Sequence, residues 1–190
     1  MENKYSMSQL IADRRTIRKF KNEAIETEVI EDLLQVASWA PNHKLKEPWR
    51  FIIYKDEGSK VLGNIMFDVT SKAGKMKKSP EDMKNYFSHI PVHILVVMPE
   101  DPQPLLREED CAANNALIQN FQLAAWERGI GVFWKSDGYL TLPAFREAVG
   151  VVPGEKIVGI LHVGYPDMIP KVQERTKVSE KITLIDSANK

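Results

Sequence analysis

The sequence is short of several features that would each announce a function. One cysteine, Cys111, stands among 190 residues, so the chain can build neither an internal disulfide framework nor a thiolate cage around zinc. The two signs of charge cancel, with 26 Lys and Arg against 26 Asp and Glu. That excludes a globally basic nucleic-acid binder and an acidic solvating tail as first expectations. No apolar run approaches the roughly 20 residues of a membrane span. The opening MENKYSMSQLIADRR has no charged start followed by an apolar stretch, so no secretory leader is expected. Gly129 and Gly131 do not continue into a dinucleotide fingerprint, and there is no phosphate loop, no GxSxG elbow and no HExxH helix. His89 and His93 are four apart, yet Pro91 lies between them. A loop histidine and a strand histidine are expected there, not a metal pair. What is left is a soluble globular protein, expected in the cytoplasm, with one domain over 1–190.

What is present is a regular alternation of helix and strand signals. A polar first helix should stop near Arg14. Val29, Ile30, Leu33, Leu34 and Ala37 recur at spacings of three and four, predicting a helix over 27–40 that Thr27 caps and Pro41 closes. Residues 50–55 (RFIIYK) read as a strand, 59–73 as an amphipathic helix, and the apolar run 92–98 as a strand buried on both faces. The longest helix is predicted over 107–128. It is dense in alanine for close packing against another helix, and Gly129 ends it. Strands at 130–134 and 156–163 flank a short helix at 144–149. Lysine-rich 71–80 reads as a mobile loop or lid, and 170–190 as an extended polar tail that packs on a partner subunit. Four strands separated by helices make this α+β or α/β, with one sheet flanked by helices.

Three constellations carry chemistry. DRRTIRKFK brings Arg14, Arg15 and Arg18 around Thr16; the plain reading is a solvated helix end, the specific one a phosphate cradle of guanidinium forks and a hydroxyl. WAPNHKLKEPWRF is a stiff loop with Trp39 and His43, either a core anchor or a pocket wall. Lys135, Ser136 and Asp137 follow a strand, where sheets present ligand contacts or simply turn. Together they suit a ligand that is anionic at one end and a flat polar ring at the other, which describes a flavin mononucleotide better than a sugar phosphate.

These segments resemble the nitroreductase-like flavoproteins. The resemblance rests on RRTIRKF at 14–20, APNHKLKEPWRF at 40–51, CAANNALIQNFQLAAWERGIG at 111–131, WKS at 134–136 and KIVGILHVGYP at 156–166. It implies an α+β nitroreductase-like fold with a central mixed or antiparallel sheet flanked by helices. It also implies a homodimer whose C-terminal segment extends onto the partner. By the same resemblance Arg14, Arg15 and Thr16 hold the phosphate and ribityl chain of FMN, and Arg18 lies at the pyrimidine edge, where it stabilises the reduced ring. Trp39 and His43 lie against the flavin, Lys135, Ser136 and Asp137 contact it, and Arg175 reaches the phosphate. The activity implied is ping-pong hydride transfer from NAD(P)H through flavin N5 to a nitroaromatic, a quinone or a related small acceptor. No side chain acts as acid or base, and no metal, nucleic acid or membrane takes part. Departures are Glu47 where the family often has Gln before Pro-Trp, and Asp137 in place of Gly. A specialised dehalogenase or flavin-destroying member, and a flavin-binding module without turnover, stay open as alternatives.

Overall fold

The computed structural model, which describes residues 6–72 and 79–186, holds a four-stranded sheet with helices on both faces. Helix α1 (Met7–Asp13) starts at Ser6, where Ser6 and Gln9 satisfy each other's backbone amides as a capping box. Helix α2 (Thr27–Ala37) buries Ile30, Leu33, Leu34 and Ala37, the stripe expected from its spacing. Its cap differs from expectation: Glu26 takes the capping place without a side-chain bond, and the Thr27 hydroxyl accepts from Lys55 at 3.1 Å. Then follow β1 (Arg50–Lys55), α3 (Glu57–Lys72), α4 (Pro80–Ser88), β2 (Val92–Pro99), α5 (Pro104–Glu127), β3 (Gly131–Lys135), α6 (Pro143–Ala148) and β4 (Glu155–Gly164).

Of the lysine-rich loop or lid expected over 71–80, residues 71–72 and 80 belong to helices. Helix α3 runs through Lys72 and α4 begins at Pro80; Lys75, Lys77 and Lys78 lie outside the described residues. Helix α4 itself was not expected. Its local signals are sound: Ser79 caps it by accepting from the Asp82 amide at 3.1 Å, Pro80 fills the first turn, and Glu81 and Asp82 face the positive end of the helix dipole.

The strand order is β1-β2-β4-β3 and every pairing within the sheet is antiparallel. Central β2 is buried along nearly its whole length because both faces are covered. Val92, Ile94 and Val96 join α2 and α5 through Leu33, Leu117 and Phe121, while Leu95 and Val97 join α3, α4 and α6 through Leu62, Met66, Phe87 and Phe145. Each such side chain contributes about 1.5–3 kcal/mol on full burial, so these two layers hold the sheet between its helices. Strand β3 is one edge of the sheet, opposite β1, and it is there that the first chemical segment lies. Beyond β4 the described tail has a single 3₁₀ turn at Val178–Lys181 and exposes Ile169, Val172, Ile182, Leu184 and Ile185. Among the described residues no helix is long and apolar enough to cross a membrane.

Candidate functional site

Residues 14–21 form a strap across the ends of β3 and β4. Arg14 closes α1, its amide donating to Leu10 at 3.1 Å. From there the chain is tied down by backbone bonds: Ile17 N donates to Val132 O at 3.2 Å, Lys21 N to Tyr165 O at 2.9 Å, and Asp167 N to Lys19 O at 3.0 Å. Thr16 makes a parallel bridge to Val132, the one parallel contact of an otherwise antiparallel arrangement among the described residues. Ile17 and Phe20 are buried beneath it, and two glycines make room for them. A Cβ on Gly131 would stand 2.5 Å from Ile17 Cγ1, and one on Gly164 would stand 2.9 Å from the Phe20 ring. With Ile17 and Phe20 turned inward, Thr16, Arg18 and Lys19 are left on the outer side, exposed.

At the start of the strap the cations crowd. Arg14 donates from Nη1 to the buried Gln122 of α5 at 3.2 Å, while its Nε is buried with no hydrogen-bond partner. Burial, and then the nearby Arg15 and Arg175 guanidinia, hold Arg14 below the usual arginine range. The tail thus brings Arg175 into the neighbourhood of Arg14 and Arg15. Arg15 spends one nitrogen on its own turn, donating to Ala12 O at 2.7 Å and to Arg14 O at 2.8 Å. Three like charges and an orphaned guanidinium N–H fit a dianion such as a phosphate monoester, which would supply both the opposite charge and the missing acceptor.

Further along, Arg18 lies over the Phe133 ring of β3, 5.3 Å from its centroid. Strand β3 ends at Lys135, whose ammonium pairs with Asp137 at 3.3 Å and sits 5.2 Å above the Tyr139 ring. Ser136 and Asp137 are exposed, and a 3₁₀ turn at Gly138–Thr141 follows. The structure therefore gathers Arg14, Arg15, Thr16 and Arg175 at one end of the strap. Arg18 lies against β3 further on, and Lys135, Ser136 and Asp137 mark that strand's end.

His43 lies apart from that cluster, and among the described residues Trp39 makes no bond to it. His43 Nδ1 lies 3.5 Å from Glu109 of α5, thirteen residues and about 20 Å along the helix from Gln122. Trp39 is 85% exposed. Among the described residues no hydrogen bond or ion pair joins these two to the strap. Their loop is strained: Lys44, Leu45 and Glu47 have φ of 53°, 53° and 47°, in the left-handed region. It is held by Lys46, whose ammonium reaches the buried Asp110 at 2.9 Å, and by Asn114, which donates to Pro48 O at 2.8 Å. The Asp110 hydrogen bond raises the Lys46 ammonium above its ordinary range.

One feature escaped the sequence reading. His93 of β2 and His162 of β4 are paired across the sheet, fully buried, with Nδ1 atoms 2.7 Å apart. The Phe87 carbonyl lies 3.0 Å from His93 Nε2 and can only accept, so that nitrogen carries a proton. Neutral His93 then accepts at Nδ1 from His162, leaving His162 Nε2 a buried acceptor without a partner. Burial pushes His93 down to about 4; burial, then His93 and Lys135, push His162 down as well. The His162 ring packs against Phe133, the ring beneath Arg18. The sole sequence signal was a histidine in an apolar strand on each side.

Comparison with known proteins gives a consistent answer. Residues 11–165 match the Nitroreductase family. A Bacillus subtilis protein named "Putative NAD(P)H nitroreductase YfhC" is 39% identical over 180 residues, 93% of each chain. The solved structure of a nitroreductase-like family protein from Bacillus cereus is 40% identical, covers 98% of this chain and 100% of its own, and superposes with a TM-score of 0.91. A nitroreductase-fold protein from Desulfovibrio desulfuricans, solved in complex with FMN, shares the fold at 20% identity, covering 97% and 99% of the two chains, with a TM-score of 0.74.

Proposed function

Because the chain belongs to the Nitroreductase family, we propose that it is an FMN-dependent NAD(P)H oxidoreductase. It reduces nitroaromatics, quinones or related small acceptors in a ping-pong cycle, working in the cytoplasm as a homodimer. The observation that carries this reading is the cation cluster at the start of the strap, where burial and the neighbouring Arg15 and Arg175 hold Arg14 below its ordinary range and Arg14 Nε is buried without a partner. FMN, when bound, supplies a ring that takes hydride at N5 from the reduced nicotinamide and yields it to the acceptor.

The chain's own residues bind and orient. Arg14, Arg15 and Arg175 receive the phosphate, and the exposed Thr16 hydroxyl donates beside them. Arg18, fixed over Phe133, sets a permanent positive charge where negative charge develops at the pyrimidine edge. Lys135, Ser136 and Asp137 close the ring end of the site. Hydride transfer needs no side-chain acid or base, and none is assigned. His43, about 20 Å along α5 from the Arg14 anchor, and the exposed Trp39 serve the site of a second copy. The apolar tail residues left exposed beyond Pro166 pack on that same copy.

The visible spectrum of the purified protein tests this reading. Flavin bands near saturation are expected, together with NAD(P)H oxidation when a quinone is added. Arg14→Glu should weaken FMN binding by about 100-fold, since it removes a charge-assisted donor and adds repulsion. A colourless wild-type protein would refute the function, and a fully yellow Arg14→Glu protein would refute the phosphate assignment.

A further inference from the structure

A cavity of about 520 Å³ opens beside the strap, between it and α4. That volume is in the range of small-molecule sites. Phe20, Ile90 and Tyr86 supply ring and aliphatic surface, while Arg18, Lys19 and His89 bring positive or titratable nitrogen. The one carboxylate among the lining residues is Asp167, whose backbone amide is tied to the Lys19 carbonyl. Two cationic side chains and an imidazole thus face a single acid across a slot whose other polar groups are the neutral Asn85 amide and Tyr86 hydroxyl. A flat aromatic ring carrying an anionic substituent matches both features at once, whereas a neutral ring satisfies the apolar surface alone.

Arg18 connects this cavity to the site already described. It lines the cavity, and its guanidinium also stacks on Phe133 of β3. It stands four residues beyond Arg14, at most about 14 Å along the strap from it. A ligand held by its phosphate at Arg14 and laid along β3 would therefore have Arg18 in common with whatever fills the cavity.

We propose that this cavity is the acceptor subsite and that it selects aromatic acceptors bearing a carboxylate, with Lys19 and His89 reading the anion and Phe20, Tyr86 and Ile90 holding the ring. The inference rests on the function proposed above and names the substrate class for it. In the reaction used as probe, NADPH is oxidised to NADP⁺ and the nitro group becomes a nitroso group. The oxygen lost leaves as water, which carries the hydride hydrogen and one solvent proton.

The test uses the full chain with FMN bound and saturating NADPH, and compares kcat/KM for 4-nitrobenzoate with that for neutral 4-nitrobenzyl alcohol. The carboxylate should be favoured by about tenfold or more, the value of one charge-assisted contact. Lys19→Gln and His89→Gln should each lower kcat/KM for 4-nitrobenzoate several-fold through KM, about three- to tenfold, with less than about a twofold effect on the alcohol. Lys84→Gln, an exposed lysine of α4 that does not line the cavity, should leave the ratio as it is. A wild-type ratio at or below unity, or a ratio unmoved in both cavity variants, overturns the proposal while leaving the oxidoreductase reading intact. Wild-type protein without FMN, or without oxidation of NADPH or NADH on either acceptor, overturns the function itself and the subsite with it.

Discussion

The strap at 14–21 and the loop at 39–48 are both anchored on α5, yet they are built on opposite principles. The strap is unstrained and over-tied: three backbone bonds fix it, Ile17 and Phe20 sink under glycines, and what it lacks is negative charge. The loop is strained and well supplied with counter-charge. Three left-handed residues cost on the order of 1 kcal/mol each, offset by Lys46 on Asp110, Asn114 on Pro48 and the Asn42 side chain on the Glu47 amide. What the loop lacks is apolar cover, since Trp39 is 85% and Leu45 81% exposed. A charge deficit is met by a small anion and an apolar surplus by another protein surface. The two halves therefore call for two different completing partners.

The sharpest way to break the strap half is through its floor. Gly131→Val would drive a branched side chain into Ile17, which already stands 2.5 Å from where the Cβ would lie. Overpacking of this kind should cost about 3 kcal/mol or more. It should also lift Thr16 off Val132, so that FMN is lost while the loop half stays as it was. Chemical denaturation with flavin content read in parallel checks both. Unchanged stability would mean that Ile17 has space to move that the packing does not show.

Much of this fold is legible in the sequence, and the exceptions have physical reasons. Strands β2 and β4 stand out as β-branched runs, and α2 as a three-and-four stripe, because each buries a run or stripe of apolar residues; β1 reads as a strand from Phe51, Ile52, Ile53 and Tyr54, although it is only half-buried. Helix α4 was missed because its interior is polar, although Ser79, Pro80, Glu81 and Asp82 spell a helix start. The strap's cations were visible as a cluster, but Gly131 and Gly164 were not visible as the space for Ile17 and Phe20. That requires knowing which strand ends the strap crosses. The separation of His43 from Arg14 was hidden too, since it is set by how far along α5 each segment lands. The His93–His162 pair is the extreme case: its partners are 69 residues apart and meet through strand register alone.

That pair gives the second test, because it lies under the strap half and not under the loop half. His162 packs on Phe133, below Arg18, with Tyr86 and Phe87 of α4 around it and the Lys135 ammonium near enough to disfavour its charge. His93 is held at about 4 in the folded protein, whereas an unfolded histidine titrates near 6.5. Between those values the unfolded chain binds more protons, so stability is full above pH 6.5 and falls as the pH is lowered through this window, until His93 also protonates near pH 4. His93 alone should remove about 2 kcal/mol between pH 7 and pH 5. His93→Asn should flatten that slope. Hydrogen exchange at pH 5 should show β3 and the strap opening ahead of the 39–48 loop, and uniform opening would mean the two halves share one cooperative unit.

The smallest effect on the fold, and the most telling for the comparison, is expected at Trp39. Its side chain is almost wholly in solvent within one chain, so Trp39→Ser should change monomer stability by less than about 0.5 kcal/mol. If a second copy covers the loop, the same substitution removes a large aromatic contact from that surface, and such anchors commonly account for about 2 kcal/mol or more of association. Sedimentation across a dilution series should then show the dimer dissociating at about 30-fold higher concentration than wild type, with FMN occupancy falling alongside it. Unaltered association would place Trp39 outside any interface. Altered association with full FMN occupancy would show that the strap half holds its ligand without help from the loop, and the two halves would then be separate devices that happen to share a helix.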